Sequence, residues 1–233
     1  MTVTTVPALS DNYIWVYEVE DKAIVVDPGE FQPVNDYLNA NNLQLAAVLL
    51  THNHDDHTGG VNELVSQYKD VPVYGPEETS DFNTNTVDAE DDFQLLGMTF
   101  HVFLTAGHTP GHVSYLEKNH LFCGDALFSA GCGRVFTKDY EAQYKALKHF
   151  NELHDEVKVY AGHEYTQTNL TFAHNEAPEN DAIKSALDEV KQLRKDGKKT
   201  LPSTIGREKE INLFMQSSSL EEFKSLRLKR DNI

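Results

Sequence analysis

The feature that most constrains this chain is the seven-residue run at 51–57, which reads Thr-His-Asn-His-Asp-Asp-His. The apolar run before it, at 46–50, predicts a buried strand, and the glycine pair after it predicts a helix that starts at Val61. Imidazole and carboxylate are the ligands that zinc, iron and manganese take, and an H-x-H-x-D-H spacing lets alternate residues face two neighbouring ions. The run therefore predicts half of a two-metal site on a strand-to-helix loop.

A single cluster of this kind is more often a polar surface loop, so the rest of the chain decides. Three further segments carry His108, Asp125 and His163, and each follows an extended apolar stretch. All four segments are then expected at strand ends, where a metal-lined cleft can form. The co-occurrence favours a metal centre over a solvated loop.

These motifs resemble the metallo-β-lactamase superfamily and, within it, the glyoxalase II family of hydroxyacylglutathione hydrolases. The superfamily marks are the Val-Asp-Pro-Gly at 26–29, the histidine run at 51–57, the Gly-His-Thr-Pro-Gly-His at 107–112 and the Gly-Asp pair at 124–125. Marks more particular to glyoxalase II stand at 11–13, 130–134 and 162–166. The resemblance runs over essentially the whole chain.

The resemblance implies two divalent metal ions per chain, zinc first, with iron or manganese as alternatives. It assigns one ion to His52, His54 and His108, the second to Asp56, His57 and His163, and a bridging position to Asp125. Two cations in a dry pocket repel each other, and a bridging carboxylate and hydroxide reduce that repulsion. Metal coordination lowers the pKa of water toward about 7, so hydroxide is available at neutral pH. Asp56 and Asp125 are the expected catalytic carboxylates.

Two polar residues inside these motifs are not expected to bind metal. His112 lies four residues after His108, and we expect it to support a ligand or to pack. Asp55 is expected to orient a neighbour or to face solvent. Cys123 and Cys132 are not ligands in the family and are expected to be reduced thiols.

Composition indicates a globular enzyme. The chain has 233 residues, 39% of them hydrophobic, which suffices for a core. It lacks both an apolar run of about 18 residues and a secretory signal pattern, so a cytoplasmic monomer without membrane contact is expected. The net charge of −17 argues against nucleic acid as a partner.

Charge and periodicity both change near the last predicted ligand. Residues 1–165 carry 26 acidic and 8 basic side chains, whereas residues 166–233 carry 11 and 12. The first part alternates strand-like and helical runs, which predicts an α/β class, and the second part predicts helices at 169–174, 181–195 and 220–228. The resemblance supplies the architecture, an αββα sandwich at 1–165 followed by a helical substrate-binding domain at 166–233.

A basic cluster near the C-terminus bears on the substrate. Seen alone, Lys224, Arg227, Lys229 and Arg230 would be a solvated helix face. The resemblance implies instead that Arg227 and Arg230 hold the glycine carboxylate of glutathione.

The resemblance also places Arg134 and Tyr165 along the glutathione site. The chain departs from the family at two positions, since Phe136 replaces a frequent Tyr and Arg230 a frequent Lys. Loss of one phenolic hydroxyl removes a hydrogen bond worth about 1 kcal/mol. Arginine keeps the charge and can bind a carboxylate through two hydrogen bonds.

The predicted reaction is hydrolysis of S-(2-hydroxyacyl)glutathione thioesters, with S-D-lactoylglutathione giving glutathione and D-lactate. Within hydrolases, a lactonase, β-lactamase or ribonuclease would use similar loops. An iron-dependent persulfide dioxygenase is the alternative from another class, and it would need only a mononuclear site. A non-catalytic metal-binding module is the third, and open coordination positions argue against it.

Overall fold

The computed structural model describes residues 1–232. Within that range the strands form two six-stranded sheets, each with parallel and antiparallel pairs, and helices accompany both. The strands are β1 (Thr2–Ala8), β2 (Asn12–Val19), β3 (Lys22–Val26), β4 (Gln44–Leu49), β5 (Val73–Gly75), β6 (Asn85–Thr86), β7 (Asp92–Leu95), β8 (Met98–Leu104), β9 (Val113–Glu117), β10 (His120–Gly124), β11 (Lys158–Ala161) and β12 (Ser203–Thr204). The predicted α/β class is confirmed.

The helices are α1 (Phe31–Ala40), α2 (Asp55–Thr58), α3 (Val61–Gln67), α4 (Tyr140–Glu152), α5 (Thr166–Glu176), α6 (Asp181–Lys195), α7 (Ile205–Ile211), α8 (Leu213–Gln216) and α9 (Leu220–Asp231). Among residues 1–232, none of the helices has the length and apolarity needed to cross a membrane.

The chain divides into two compact units. The first contains residues 1–104 and 111–117, and the second contains residues 105–110 and the chain from 118 onward. The sequence predicts a domain boundary after residue 165, defined by position along the chain rather than by contacts. That boundary stays a prediction.

The first unit is built on the sheet β1 to β6. β1, β2 and β3 are antiparallel, and β3 to β6 are parallel neighbours in chain order. Most of β2 is buried, as is β3 after its first residue, so both read as continuous apolar runs rather than as alternating patterns. α1 packs Val34 and Leu38, one turn apart, into the same core.

β4 ends directly before the histidine run, as the sequence predicts, and α3 begins at Val61. The prediction of a loop throughout the run was wrong in one part, because residues 55–58 form the helical turn α2. The backbone N–H and the hydroxyl of Thr58 both donate to the carbonyl of His54, at 3.1 Å each. Two acidic residues in the first turn stabilise the helix, because their negative charge lies at the positive end of the helix dipole.

The first unit also contains the antiparallel strands β7, β8 and β9. β8 alternates buried with more exposed residues, as expected of a strand with one face toward a core. The hydroxyl of Tyr115 in β9 donates to the carbonyl of Leu50 at 2.6 Å, directly before the histidine run. The end of β4 is therefore tied to β9.

The second unit places β10 parallel to β11, with β12 antiparallel to β11. The register of β10 and β11 shifts between Phe122 and Gly124, and Asp125 follows at once. β11 ends at Ala161, two residues before His163. Both residues therefore follow strand ends, as predicted.

Helices α5 to α9 form the C-terminal helical part that the sequence predicts. Asn180 caps the N-terminus of α6, because its side chain accepts a hydrogen bond from the backbone N–H of Ile183 at 3.1 Å. Its buried residues recur at helical spacing and pack with α5. The predicted breaks at Pro178, Gly197 and Pro202 all lie between elements.

Candidate metal centre

In the first unit, the histidine run brings imidazole nitrogens and a carboxylate together. His52 is fully buried, and its Nε2 lies 3.1 Å from Nδ1 of His54. Its Nδ1 lies 3.0 Å from the hydroxyl of Thr51. The Nε2 of His57 lies 3.6 Å from Oδ2 of Asp56. These are the four residues of the run that the sequence predicts as ligands.

Asp27 orients this set, a role that the sequence did not assign. One carboxylate oxygen accepts from the backbone N–H of Thr51 at 2.8 Å, and the other accepts from the Thr51 hydroxyl at 2.6 Å and from Nδ1 of His57 at 3.0 Å. A proton held on Nδ1 places the lone pair of His57 on Nε2, which is the form of the imidazole that a metal requires. Because both Asp27 oxygens are engaged, we interpret Asp27 as an orienting residue rather than a ligand, although its oxygens lie near His52.

Replacing Asp27 with Asn is expected to weaken metal binding by about 10- to 100-fold, the usual effect of losing an orienting partner. One side of the amide is an NH₂ that cannot accept, so the donors at one of the two former carboxylate oxygens lose their partner: either the backbone N–H of Thr51, or the Thr51 hydroxyl and Nδ1 of His57. Competition with a chromophoric chelator measures the change. Asp36→Asn, at an exposed carboxylate on α1, is the control. Equal affinities in the two variants would remove the orienting role.

Asn12 was also missed as a contact to a predicted ligand. Its amide donates to Oδ2 of Asp56 at 2.9 Å and to the Asp56 carbonyl at 3.2 Å. Gly29 fits directly against the same residue, since a Cβ there would lie 1.9 Å from the Asp56 carbonyl oxygen. The motifs at 11–13 and 26–29 were the only sequence signals for these contacts.

Two polar residues near the run, His112 and Glu78, have supporting positions, and a third, Asp55, faces solvent. His112 is fully buried and stacks on His52, with ring centroids 4.8 Å apart, in agreement with its predicted packing role. Glu78 accepts from the backbone N–H groups of Asn53 at 3.2 Å and Gly111 at 2.6 Å, which joins the first two predicted ligand segments. No motif marked Glu78. Asp55 is exposed.

In the second unit, two histidines converge on Asp125. The Nε2 atoms of His108 and His163 each lie 3.4 Å from Oδ2 of Asp125. Nδ1 of His108 donates to the carbonyl of Arg134 at 2.8 Å, which leaves its Nε2 as the acceptor. The His163 ring stacks on Tyr165, with centroids 4.7 Å apart and planes 5° from parallel. All three predicted ligands of this unit are buried.

Both sets have the chemistry of a divalent metal site. Their donors are imidazole nitrogens and carboxylate oxygens, which suit zinc, iron and manganese. His52, His57 and His108 each place Nδ1 beside a protein oxygen. For His57 and His108 that oxygen is an acceptor, so the lone pair of the ring lies on Nε2. The clusters therefore fit divalent metal ions.

The predicted glutathione contact Arg227 is engaged within the protein. It is buried, and its Nη2 and Nε lie 2.8 and 3.1 Å from Oδ1 of Asp231. Its Nη1 donates to the carbonyl of Cys132 at 2.7 Å. Arg134 is exposed and also contacts Asp231, from Nε and Nη2 at 3.3 Å each. Asp231 thus joins both arginines.

Arg230, in the basic cluster near the C-terminus, lines a cavity. The cavity has a volume of about 230 Å³. Its other lining residues come from α5: Gln167, Thr168, Thr171, Phe172 and Asn175. Arg230 Nη2 lies 3.5 Å from Oδ1 of Asn169, and its Nε is buried without a hydrogen-bond partner among the described residues. Burial, and then the neighbouring Arg227, lower the pKa of Arg230.

Phe136, where the family often has tyrosine, is exposed and turns its ring toward that of His108, with centroids 5.3 Å apart. Cys123 and Cys132 form no disulfide, as predicted, and both are buried. Burial raises the pKa of both thiols, which makes them poor nucleophiles.

Two family models together match residues 9–233. The Metallo-beta-lactamase superfamily model matches residues 9–163, and the Hydroxyacylglutathione hydrolase C-terminus model matches residues 164–233. The chain is similar to solved structures described as ETHE1 from Myxococcus xanthus and as TTHA1623 in a di-iron-bound form. The first has a TM-score of 0.76 at 24% identity and covers 98% of this chain and 90% of its own. The second has a TM-score of 0.65 at 24% identity, with 92% and 100% covered. At these identities the likeness confirms the expected fold.

Curated relatives resemble the chain over its full length. A Hydroxyacylglutathione hydrolase of Glaesserella parasuis is 53% identical, with 100% of this chain and 99% of the relative covered. One of Actinobacillus pleuropneumoniae serotype 5b is 46% identical with the same coverage. Together with the two model matches, these relatives show that the chain belongs to the hydroxyacylglutathione hydrolase family of the metallo-β-lactamase superfamily.

Proposed function

We propose that this protein hydrolyses S-(2-hydroxyacyl)glutathione thioesters, with S-D-lactoylglutathione giving glutathione and D-lactate. One observation carries the proposal: the buried Asp125 carboxylate lies 3.4 Å from two imidazole nitrogens, in a chain whose C-terminal part matches the hydroxyacylglutathione hydrolase model. Buried imidazole and carboxylate donors are the setting for metal-assisted hydrolysis.

The proposed centre holds two divalent metal ions, zinc first and iron or manganese as alternatives. The proposed ligands of the first ion are His52, His54 and His108; those of the second are Asp56, His57 and His163; and Asp125 is shared. Family membership and the hydrogen bonds that orient His57 and His108 support this assignment. Asp56 and Asp125 are the proposed catalytic carboxylates.

When bound, such ions polarise a carbonyl and make hydroxide available near neutral pH. The residues of the chain fix the donors beforehand. Asp27 and the Arg134 carbonyl each hold a proton on Nδ1 of a histidine, so that His57 and His108 present Nε2 without rearrangement. The leaving thiol has a pKa of about 8.5, as for cysteine, so it departs as thiolate without a strong general acid.

We propose that Arg134, Tyr165, Arg227 and Arg230 form the glutathione site, with unequal roles. Arg230 has a buried donor and faces a cavity, which suits a substrate carboxylate. Arg134 is exposed and has one Nη group beyond its contacts with Asp231. Arg227 acts by holding α9 to Cys132, because its donors are already engaged. The C-terminal segment from residue 166 is the proposed substrate-binding domain.

Replacing Arg230 with Ala is expected to raise KM for S-D-lactoylglutathione roughly tenfold and to leave kcat nearly unchanged, since the contact is remote from the thioester. Steady-state kinetics separate the two constants. Lys224→Ala, at an exposed cation on the same helix, is the control and should keep the KM of the unsubstituted protein. An unchanged KM in Arg230→Ala would exclude the contact.

Thiol release from S-D-lactoylglutathione tests the proposed function against the oxidative alternative. We expect stoichiometric release of glutathione and D-lactate without oxygen consumption. Oxygen uptake with glutathione persulfide, and no thiol release, would favour the dioxygenase. Turnover of lactones or β-lactams alone would favour another hydrolase of this fold. The cytoplasmic location and the monomeric state stay predictions.

A further inference from the structure

Glu208 on α7 is a buried carboxylate that the proposed reaction does not use. It is fully buried, and each of its two oxygens accepts two hydrogen bonds. Oε1 accepts from the hydroxyls of Ser129, at 2.8 Å, and of Ser203. Oε2 accepts from the backbone N–H of Ala130 at 2.6 Å and from the amide of Asn212 at 3.3 Å. Burial raises the pKa of Glu208, and these four donors oppose that shift. A buried carboxylate is costly, and this one is fully hydrogen-bonded.

The main-chain partner of Glu208 belongs to a tight turn at 128–131. The backbones of Phe128 and Gly131 exchange two hydrogen bonds of 3.0 Å across the turn. Ala130 has a φ of 56°, a left-handed conformation that is unfavourable for a residue with a Cβ. The Asn212 amide donates to the carbonyls of Phe128 at 3.2 Å and Gly131 at 2.9 Å. The helices after residue 204 therefore hold this turn through its main chain.

The turn leads directly to the segment 132–134, which contacts two of the proposed metal ligands. A Cβ on Gly133 would lie 2.2 Å from the carbonyl oxygen of Asp125 and 2.8 Å from Nδ1 of His108, so the backbone packs closely on both. The next residue, Arg134, accepts the hydrogen bond from Nδ1 of His108. A shift of the turn would move this carbonyl and turn the imidazole.

We propose that Glu208 is a positioning residue for the metal centre: by fixing the turn at 128–131 it sets the carbonyl that orients His108 and the backbone that packs on Asp125. The inference rests on the proposed metal centre. It gives the C-terminal helices a second role, in metal binding as well as in substrate binding. All of these contacts lie within the second compact unit.

Three variants separate the effect of the length of the Glu208 side chain from the effect of its charge and from the effect of shortening another glutamate on α7. Glu208→Asp keeps the carboxylate near Ser203 and Asn212 but shortens it by one methylene, so it loses Ala130. Glu208→Gln keeps the length; its oxygen can accept from Ala130 and Asn212, while its NH₂ faces hydroxyls that can turn to accept. Glu210→Asp makes the same shortening at an exposed position of the same helix.

Zinc affinity by chelator competition and the absorption spectrum of the cobalt-substituted protein are the readouts, both taken on variants shown by circular dichroism to be folded. We expect Glu208→Asp to bind zinc roughly tenfold more weakly, with an altered cobalt spectrum. Glu208→Gln and Glu210→Asp should stay within a few-fold of the unsubstituted protein. If Glu208→Asp does not fold, Ser129→Ala, which removes one contact to the turn, should shift the cobalt spectrum in the same direction.

Zinc affinities and cobalt spectra that are unchanged in folded Glu208→Asp would overturn the positioning role, as would equal losses in Glu208→Asp and Glu210→Asp. Metal binding is measured without substrate, so failure of this inference is distinct from failure of thioester hydrolysis. Failure of the unsubstituted protein to bind zinc or cobalt would count against the metal centre itself.

Discussion

Replacing Asp125 with Ala is expected to lower kcat/KM for S-D-lactoylglutathione on the order of a thousandfold or more. Asp125 is buried, and the Nε2 atoms of both His108 and His163 face the same carboxylate oxygen at 3.4 Å. If the proposed two-ion centre is correct, removing that carboxylate takes away the shared anion that would reduce the repulsion between the ions. We expect metal content to fall together with turnover. Loss of thioester absorbance and elemental analysis measure the two quantities.

Asp55→Ala is the matched control, because it removes a carboxylate from the ligand run at a position that is exposed. It should retain turnover within about twofold, the effect expected of a surface substitution. Equal losses of turnover in the two variants would mean that turnover depends on negative charge near the run rather than on the specific ligand role of Asp125. Full activity in Asp125→Ala would contradict the proposed centre.

Replacing Gly133 with Ala is the second substitution with a large expected effect. A Cβ there would lie 2.2 Å from the Asp125 carbonyl oxygen and 2.8 Å from Nδ1 of His108, and backbone cannot yield as a flexible side chain can. We expect a loss of about 3 kcal/mol of unfolding free energy, the upper range for overpacking, with a fall in Tm of about 6–12 °C. Metal affinity should fall as well, since both contacted residues are proposed ligands. Thermal unfolding and zinc titration measure the two effects.

Gly97→Ala provides the comparison, since Gly97 has a φ of 77° and a Cβ added there would have no neighbour within 4 Å. Gly97→Ala should lose only about 1 kcal/mol of unfolding free energy, from the strain of a left-handed residue with a Cβ, and it should keep its metal. A Gly133→Ala protein that is as stable as Gly97→Ala and fully metallated would show that the segment at 132–134 can shift without affecting the site.

Local patterns in the sequence were sufficient for much of the fold. The continuous apolar run at 46–50 predicted the buried strand β4, and helical spacing predicted α6 within its observed bounds. β1 was missed because a strand at the sheet edge tolerates Pro7, which weakens the strand pattern. The turn α2 was missed because four residues are too few for a helical period.

The candidate site was predictable where its residues carry their chemistry in their type and spacing. Closely spaced histidine and aspartate in several segments together indicated a metal site, and the second unit brings His108, Asp125 and His163 together as expected. The supporting contacts reach residues distant in sequence, as those of Asp27, Asn12 and Glu78 do. A local spacing in the sequence cannot predict such contacts. They follow from the fold rather than from a local pattern.

For Arg227, the contact expected from the family differs from the contacts that the structure shows. The family resemblance implied that Arg227 and Arg230 hold one carboxylate together, yet Asp231 lies four residues after Arg227 on the same helix. That spacing favours an ion pair within the helix, and the structure has one. Burial and the carbonyl of Cys132 complete its partners.

Zinc reconstitution of the chelated protein, followed by the rate of thioester loss from S-D-lactoylglutathione, tests the central claim most directly. We expect no turnover in the chelated protein and a rate that rises until two equivalents of zinc per chain are bound. A full rate at one equivalent would contradict the two-metal assignment. Two bound equivalents without any thioester loss would contradict the proposed hydrolysis.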